Sequence, residues 1–369
     1  MKYIRNISLR AVLLSGLAFV TMQCESQKKT DLDYKIGQMI IVGVTGTSID
    51  QNQQLQDDIK KGRVGSVILF EKNITPTNSY VNLKRFINHL AEEAPLPLLV
   101  AIDQEGGLVN RLKEKYQFPK SVSAGYLGST GSPDSTKFYA EMTASTLAGL
   151  GINVNFAPVV DLKIDGNPVI AKNERAYSAD PDSVAMHAGE VVKAMRRFGV
   201  VSVLKHFPGH GSSRADSHQG IADVTSYWTE KELIPYRNML KDGKVDAVMS
   251  AHIVNKNLDE SGVPGTLSNK MIAGLLRKDL GFEGVVFSDD MQMHAITKYY
   301  GLEKALEMSI NAGIDIVMFS NNIQGSENRT VDTVHKLIKK LVDEGKITPE
   351  RIEQSYQRIV KMKSRFLEN

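Results

Sequence analysis

The residues best equipped for chemistry crowd into one stretch, VSVLKHFPGHGSSRADSH at 201–218, which holds three of the chain's eight histidines together with a lysine and an aspartate. Asp216 and His218 stand two apart. That spacing lets the carboxylate accept a hydrogen bond from one ring nitrogen, fix the tautomer and raise the basicity of the other nitrogen. Such a pair is a candidate proton donor and acceptor. His206 and His210 are four apart, the spacing of a helical zinc pair, but Phe207, Pro208 and Gly209 between them cannot be helical. A metal-dependent barrel hydrolase is a minor alternative, since histidine and aspartate at strand exits are what a metal would use.

Other ionisable residues stand directly after apolar runs: Asp103 after LLVAI, Asp161 shortly after VNFAPVV, Lys205 and His206 after VSVL, His252 after AVMSA, and Asp289 with Asp290 after VVFS. One of these would be a solvated strand end. Five exits pointing ionisable groups the same way predict a polar binding site. Asp289 and Asp290 are adjacent and fall on opposite sides of an extended strand, so only one faces the mouth easily and the other is free to cap the following helix. Alternation does not choose between them.

The elements that must hold these groups are eight apolar, non-alternating runs: Met39–Val42, Ser66–Phe70, Leu98–Ile102, Val154–Ala157, Val201–Leu204, Ala247–Ser250, Val285–Phe287 and Ile314–Phe319. Between them lie helix-like segments, such as Ser135–Leu150 closed by Gly151 and Ser183–Phe198 closed by Gly199. A last helix opens with Thr348 as cap and Pro349 in the first turn. Strands buried on both faces, each followed by a helix, mean a parallel sheet, and eight such units predict an α/β fold, a single (β/α)8 TIM-type barrel with its helices outside. An open doubly wound sheet is the competing architecture, but no glycine-rich phosphate turn follows the first strand.

The chain has 369 residues, 42% of them hydrophobic, and a formal net charge of +3. Lys2, Arg5 and Arg10 are the only charged residues of the first 23, and without them cations and acids balance, which argues against nucleic acid and polybasic membrane binding as roles. That first segment has a basic start, an apolar run from Ala11 to Val20, and then Cys24, the single cysteine. The run is too short to span a bilayer and suits an export signal. It resembles a bacterial lipoprotein signal, with Gln23 where a small residue is usual, and this implies lipidation at Cys24. The expected layout is a signal at 1–23, a polar tether at 24–31 and one barrel domain at 32–369. The expected location is periplasmic or at the cell surface, held to the membrane through the lipid anchor only.

From Leu32 onward the chain resembles glycoside hydrolase family 3, and within it the single-domain β-N-acetylhexosaminidase branch. The resemblance is carried, in the family's order, by KIGQMI near Lys35, DQEGG at 103–107, NFAPVVDL at 155–162, KHFPGHG at 205–211, DSH at 216–218 and FSDDM at 287–291. It implies a retaining mechanism in which Asp289 is the nucleophile and His218, held by Asp216 on a loop, is the acid/base. It also implies that Asp103, Arg175, Lys205 and His206 bind sugar hydroxyls, with Asn155 and His252 near the same mouth. Leu108 stands where the family usually has an arginine that contacts the sugar. The implied activity is exo-hydrolysis of terminal β-linked GlcNAc from peptidoglycan fragments or related glycans by a monomer that needs no metal or organic cofactor. A phosphorylase, a β-glucosidase and a non-catalytic sugar-binding lipoprotein are the alternatives.

Overall fold

The computed structural model describes residues 31–216, 220–241, 243–325 and 327–366. Cys24 and His218 lie outside the described residues. Eight strands form one closed barrel: β1 (Ile40–Gly43), β2 (Ser66–Leu69), β3 (Leu99–Ile102), β4 (Val154–Asn155), β5 (Val201–Phe207), β6 (Ala247–Ser250), β7 (Val285–Asp290) and β8 (Ile316–Phe319). Each strand pairs in parallel with its neighbours in the chain, and β8 closes the ring on β1 through Ile40 opposite Val317. This is the (β/α)8 architecture expected. The two-residue strands Ala222–Asp223 and Ile253–Val254 pair separately beside it.

The strands carry no polar alternation because both faces are covered, the inner one by side chains of facing strands and the outer one by helices. Phe156 and Phe287, both fully buried, meet edge to face at 5.4 Å across the interior. Burying a side chain of this size is worth about 1.5–3 kcal/mol. The helices start where capping chemistry allows: Ser132 accepts the Ser135 amide ahead of Pro133–Leu150, Asp180 accepts that of Ser183 ahead of Pro181–Arg197, and Thr348 accepts that of Arg351 ahead of Pro349–Ser364. Gly151 ends the first of these at φ +88°, a conformation that costs glycine little.

The C-terminal ends of three strands differ from those expected by two residues or more. β4 stops at Asn155, three residues before Pro158, which has no amide to give a ladder. β5 runs on to Phe207 and β7 to Asp290, each past the apolar run that announces it. Both extensions contain a bulge. Leu204 opposes Val248 and Phe207 opposes Ser250, so Lys205 and His206 together face Met249 alone. Likewise Phe287 opposes Ile316 and Asp290 opposes Met318, which sets Ser288 and Asp289 against Val317. A bulge bends its strand and re-aims the extra side chain. The strict alternation assumed for these exits does not hold there.

Candidate active site

The C-terminal ends of the strands open on a cavity of about 410 Å³. Asp103, Arg175, Lys205, His206, Asp216 and Asp289 all line it, joined by Glu105, Arg111, His210 and Asp290, with Ile68, Phe70, Met249 and Met318 supplying apolar wall. Six of the site residues expected from the sequence are therefore brought to one pocket.

The polar wall is an ion network. Lys205, 2% exposed, gives Nζ to Asp103 Oδ1 at 2.8 Å and to Glu105 Oε1 at 2.7 Å. Arg175 grips Glu105 through Nε and Nη2, both at 2.8 Å. That fork-on-fork geometry is the strongest form of such a pair. Burial alone would raise the Asp103 and Glu105 carboxyls, but the cations beside them hold both below their ordinary values. Burial likewise works against the Lys205 and Arg175 charges and loses to the carboxylates, which hold both above the usual range. All four groups are charged near neutral pH, with their geometry set before any ligand arrives.

Behind this wall Asp161 sets the histidines. Its Oδ2 lies 2.7 Å from His206 Nδ1, and its Oδ1 accepts the backbone amides of His206 at 3.2 Å and His210 at 2.8 Å. A proton on Nδ1 leaves Nε2 as an acceptor, and Arg175 Nη2 stands 3.3 Å from it. His210 packs edge-on to His206 at 5.8 Å, and burial together with that neighbour pushes its pKa down to about 4. The Asp161 carboxylate, fully buried, therefore orients residues and does not face the mouth as its position after the fourth strand predicted.

The two adjacent aspartates separate as the bulge in β7 dictates. Asp289 reaches the cavity and its Oδ1 accepts the Asp290 amide at 2.8 Å. Asp290 is buried, accepts the Gln292 amide at 3.0 Å and the Ser320 hydroxyl, and has its pKa raised to about 6 by burial and by the charge of Asp289. It ties the β7 exit to the β8 exit and does not cap the helix that follows, whose first turn begins after Met293.

Two residues expected near the mouth sit behind it. Asn155 is buried and brackets the Gln104 peptide, accepting its amide at 3.0 Å and donating to its carbonyl at 3.1 Å. His252 is buried with Nε2 3.0 Å from the Asp290 carbonyl. Leu108 is 66% exposed and stays out of the pocket. The turn that carries it is forced by Gly106 at φ +96°, where a Cβ would meet the Val122 carbonyl at 2.1 Å. Gln104 Oε1 then accepts the amides of Arg111 and Leu112, folding the loop back so that the Arg111 guanidinium lies 3.4 Å from Asp103. Arg111 and Glu105 are the two charged pocket residues to which the sequence assigned no role. A glycine pair followed by an arginine eight residues after Asp103 is the signal that could have found the first. No group of three or more histidine, cysteine, aspartate or glutamate side chains gathers as for a metal ion among the described residues.

Paired charges that present spare donors and acceptors to a 410 Å³ cavity, backed by apolar walls and with a carboxylate at the rim, define a barrel enzyme built for a hydroxyl-rich ligand. Residues 31–362 match the glycosyl hydrolase family 3 N terminal domain, and the chain belongs to that family. It is 38% identical over 289 residues to a β-hexosaminidase of Xylella fastidiosa, covering 76% of this chain and 82% of that one. A β-hexosaminidase of Tolumonas auensis is 31% identical over 290 residues, covering 78% and 84%. Against the family 3 β-N-acetylglucosaminidase of Paenibacillus sp. FPU-7 the TM-score is 0.83 at 33% identity, covering 90% of this chain and 62% of that one. The chain likewise spans only 55% of the β-hexosaminidase A of Pseudoalteromonas piscicida, at 32% identity over 336 residues and 85% of its own length.

Proposed function

We propose that this family 3 glycosidase, a β-N-acetylhexosaminidase, removes terminal β-linked GlcNAc by a retaining route. The observation that carries the reading is that Asp289, at the β7 bulge, shares one pocket with Asp216 and the Asp103–Lys205–Glu105–Arg175 network. In the first step the Asp289 carboxylate attacks the anomeric carbon while the glycosidic C–O bond breaks and its electron pair leaves with the aglycone oxygen, which takes a proton from His218. In the second, His218 takes a proton from water, whose oxygen displaces Asp289. Asp216 fixes the histidine tautomer, and an imidazole with an unperturbed pKa of about 6.5 can serve both steps near neutral pH. Asp103, Arg175, Lys205 and His206 hold the sugar hydroxyls, and strong grips made only when the ring distorts lower the barrier.

Hydrolysis of aryl β-GlcNAc by wild type, Asp289→Ala and His218→Ala tests this. Asp289→Ala should lose turnover by about 10³-fold or more, and His218→Ala should lose less on a good leaving group that needs little protonation. A 2-fluoro sugar should label Asp289, and full activity in Asp289→Ala would remove the mechanism. Adding phosphate and finding a sugar 1-phosphate would make the enzyme a phosphorylase. The basic, then apolar, then Cys24 pattern supports export and lipid anchoring, which suit peptidoglycan fragments as substrate. Metabolic lipid labelling that survives Cys24→Ala would exclude the anchor.

A further inference from the structure

Glu232 is a buried carboxyl that this chemistry does not use. It is 1% exposed and lies in the short turn Glu230–Leu233 that leads into the helix Ile234–Leu240. Its Oε2 accepts the Gly211 amide at 2.7 Å. That approach depends on glycine at two positions. Gly209 has φ +115°, and a Cβ there would come within 2.6 Å of the Glu232 Cβ, while a Cβ at Gly211 would lie 3.0 Å from Oε2. The backbone between Pro208 and Ser213 rests on this carboxyl as on a template.

Three other side chains hold the same turn. Asp161 takes the His210 amide, Asn167 Nδ2 donates to the carbonyls of His210 at 2.7 Å and Gly211 at 2.9 Å, and Trp228 Nε1 donates to that of Pro208 at 3.2 Å. These grips fix the start of the turn and its carbonyls. Gly211 lies five residues ahead of Asp216 on the segment that follows β5, and Glu232 is the acceptor of its N–H.

We propose that Glu232 is a positioning residue for proton transfer, setting the exit direction of the loop that carries Asp216 and His218. The proposal rests on the reading of that pair as the acid/base. Burial, together with the charge of Asp161, raises the Glu232 pKa to about 7 against the pull of Ser212 and the Gly211 amide. A neutral carboxyl is thus already a populated form near pH 7, and glutamine imitates it in shape and in its acceptor oxygen. Tyr236, fully buried, faces the same carboxyl from the following helix, and its phenol is pushed well up by burial.

The experiment is kcat/KM along a series of β-N-acetylglucosaminides, from dinitrophenyl to an alkyl aglycone, for wild type, Glu232→Gln, Glu232→Asp and Asp216→Asn. A residue that acts through proton delivery steepens the dependence on leaving group, whereas a merely structural one lowers the whole series alike. Glu232→Gln keeps an acceptor oxygen for the Gly211 amide, so its series should run parallel to wild type, with melting within about 2 °C. Glu232→Asp, which withdraws the carboxylate from Gly211 by one methylene, should lose about tenfold more on the alkyl glycoside than on the dinitrophenyl one. Glu232→Ala, which removes the acceptor, stands in if the aspartate variant does not fold and should steepen the series likewise. A uniform loss in Glu232→Asp, or none, overturns the proposal, as does a steepened series in Glu232→Gln. If Asp216→Asn leaves the series unsteepened, the acid/base reading itself fails. If it steepens in Asp216→Asn and not at position 232, only the role of Glu232 fails.

Discussion

The barrel has buried charge at both ends, and the two ends use it differently. At the base, just ahead of β8, Asp315 receives Arg277 at 2.5 Å, Arg351 at 3.3 Å, Arg358 at 3.4 Å, the Ser355 hydroxyl at 2.7 Å and the Val286 amide at 2.9 Å. Two of the arginines also donate to main-chain carbonyls: Arg277 to Phe282 and Gly284, Arg351 to Ile310 and Ile314. At the mouth, Asp103, Glu105, Lys205 and Arg175 are paired as tightly, but they line a cavity. Charge whose donors end on the protein's own backbone staples the fold. Charge whose donors converge on open volume awaits a ligand.

Breaking the base should produce the largest effect on stability. Asp315→Ala leaves three arginines without their carboxylate and should cost about 3–5 kcal/mol in denaturant unfolding, with kcat of the surviving folded enzyme unchanged. A fall in kcat matching the loss of stability would show that the two ends are not separate. Lys205→Met should act at the mouth: it strips two buried carboxylates of their shared cation, and KM for an aryl β-GlcNAc should rise about 10²-fold, with a smaller loss of stability. Saturation at the wild-type concentration would mean that the network is only a staple.

The pH dependence sharpens the same contrast. Asp290 has a folded pKa of about 6, above its value of 3.8 in the open chain, so its contribution to stability is full below about pH 4 and fades as pH rises through 6. Wild type should therefore lose roughly 1–3 kcal/mol relative to Asp290→Asn between those limits. Asp103 and Glu105, held below their ordinary values, contribute in the opposite sense: their stabilisation is present at neutral pH and fades as pH falls below the ordinary carboxyl range. Equal slopes for wild type and Asp290→Asn in urea titrations at pH 4 and pH 7 would contradict the buried placement of that carboxyl. The smallest effect belongs to Leu108→Ala, which should change stability by less than about 0.5 kcal/mol and kcat/KM by less than about twofold, since the side chain stands in solvent.

Much of the architecture is readable in the sequence, because a strand covered on both faces must be apolar throughout, and eight such runs admit few arrangements. Asp103, Lys205, His206 and Asp289 stand at strand exits, so their shared pocket follows from the barrel. What could not be read was which of two neighbours turns inward. The bulges that decide this at 205–206 and 288–289 come from pairing with β6 and β8, roughly forty and thirty residues away, and leave no local mark. Glu105 and Arg175 are likewise partners only through the fold, and Arg111 reaches Asp103 because Gln104 folds the loop back. Asn155 is placed near the mouth by the family resemblance and by no local spacing, and only the fold shows its amide turned to the Gln104 peptide.

Asn155 also changes what counts as backbone in this molecule. β4 is two residues long, and next to it a side-chain amide offers the Gln104 peptide one donor and one acceptor, as an adjoining strand would. The sheet is extended there by a side chain. In terms of what the position can tolerate, aspartate would keep the acceptor and lose the donor, leucine would lose both, and glutamine would offer the pair one methylene too far out. Position 155 is thus as constrained as a main-chain atom, and the DQEGG turn with Asp103 and Glu105 rests on it.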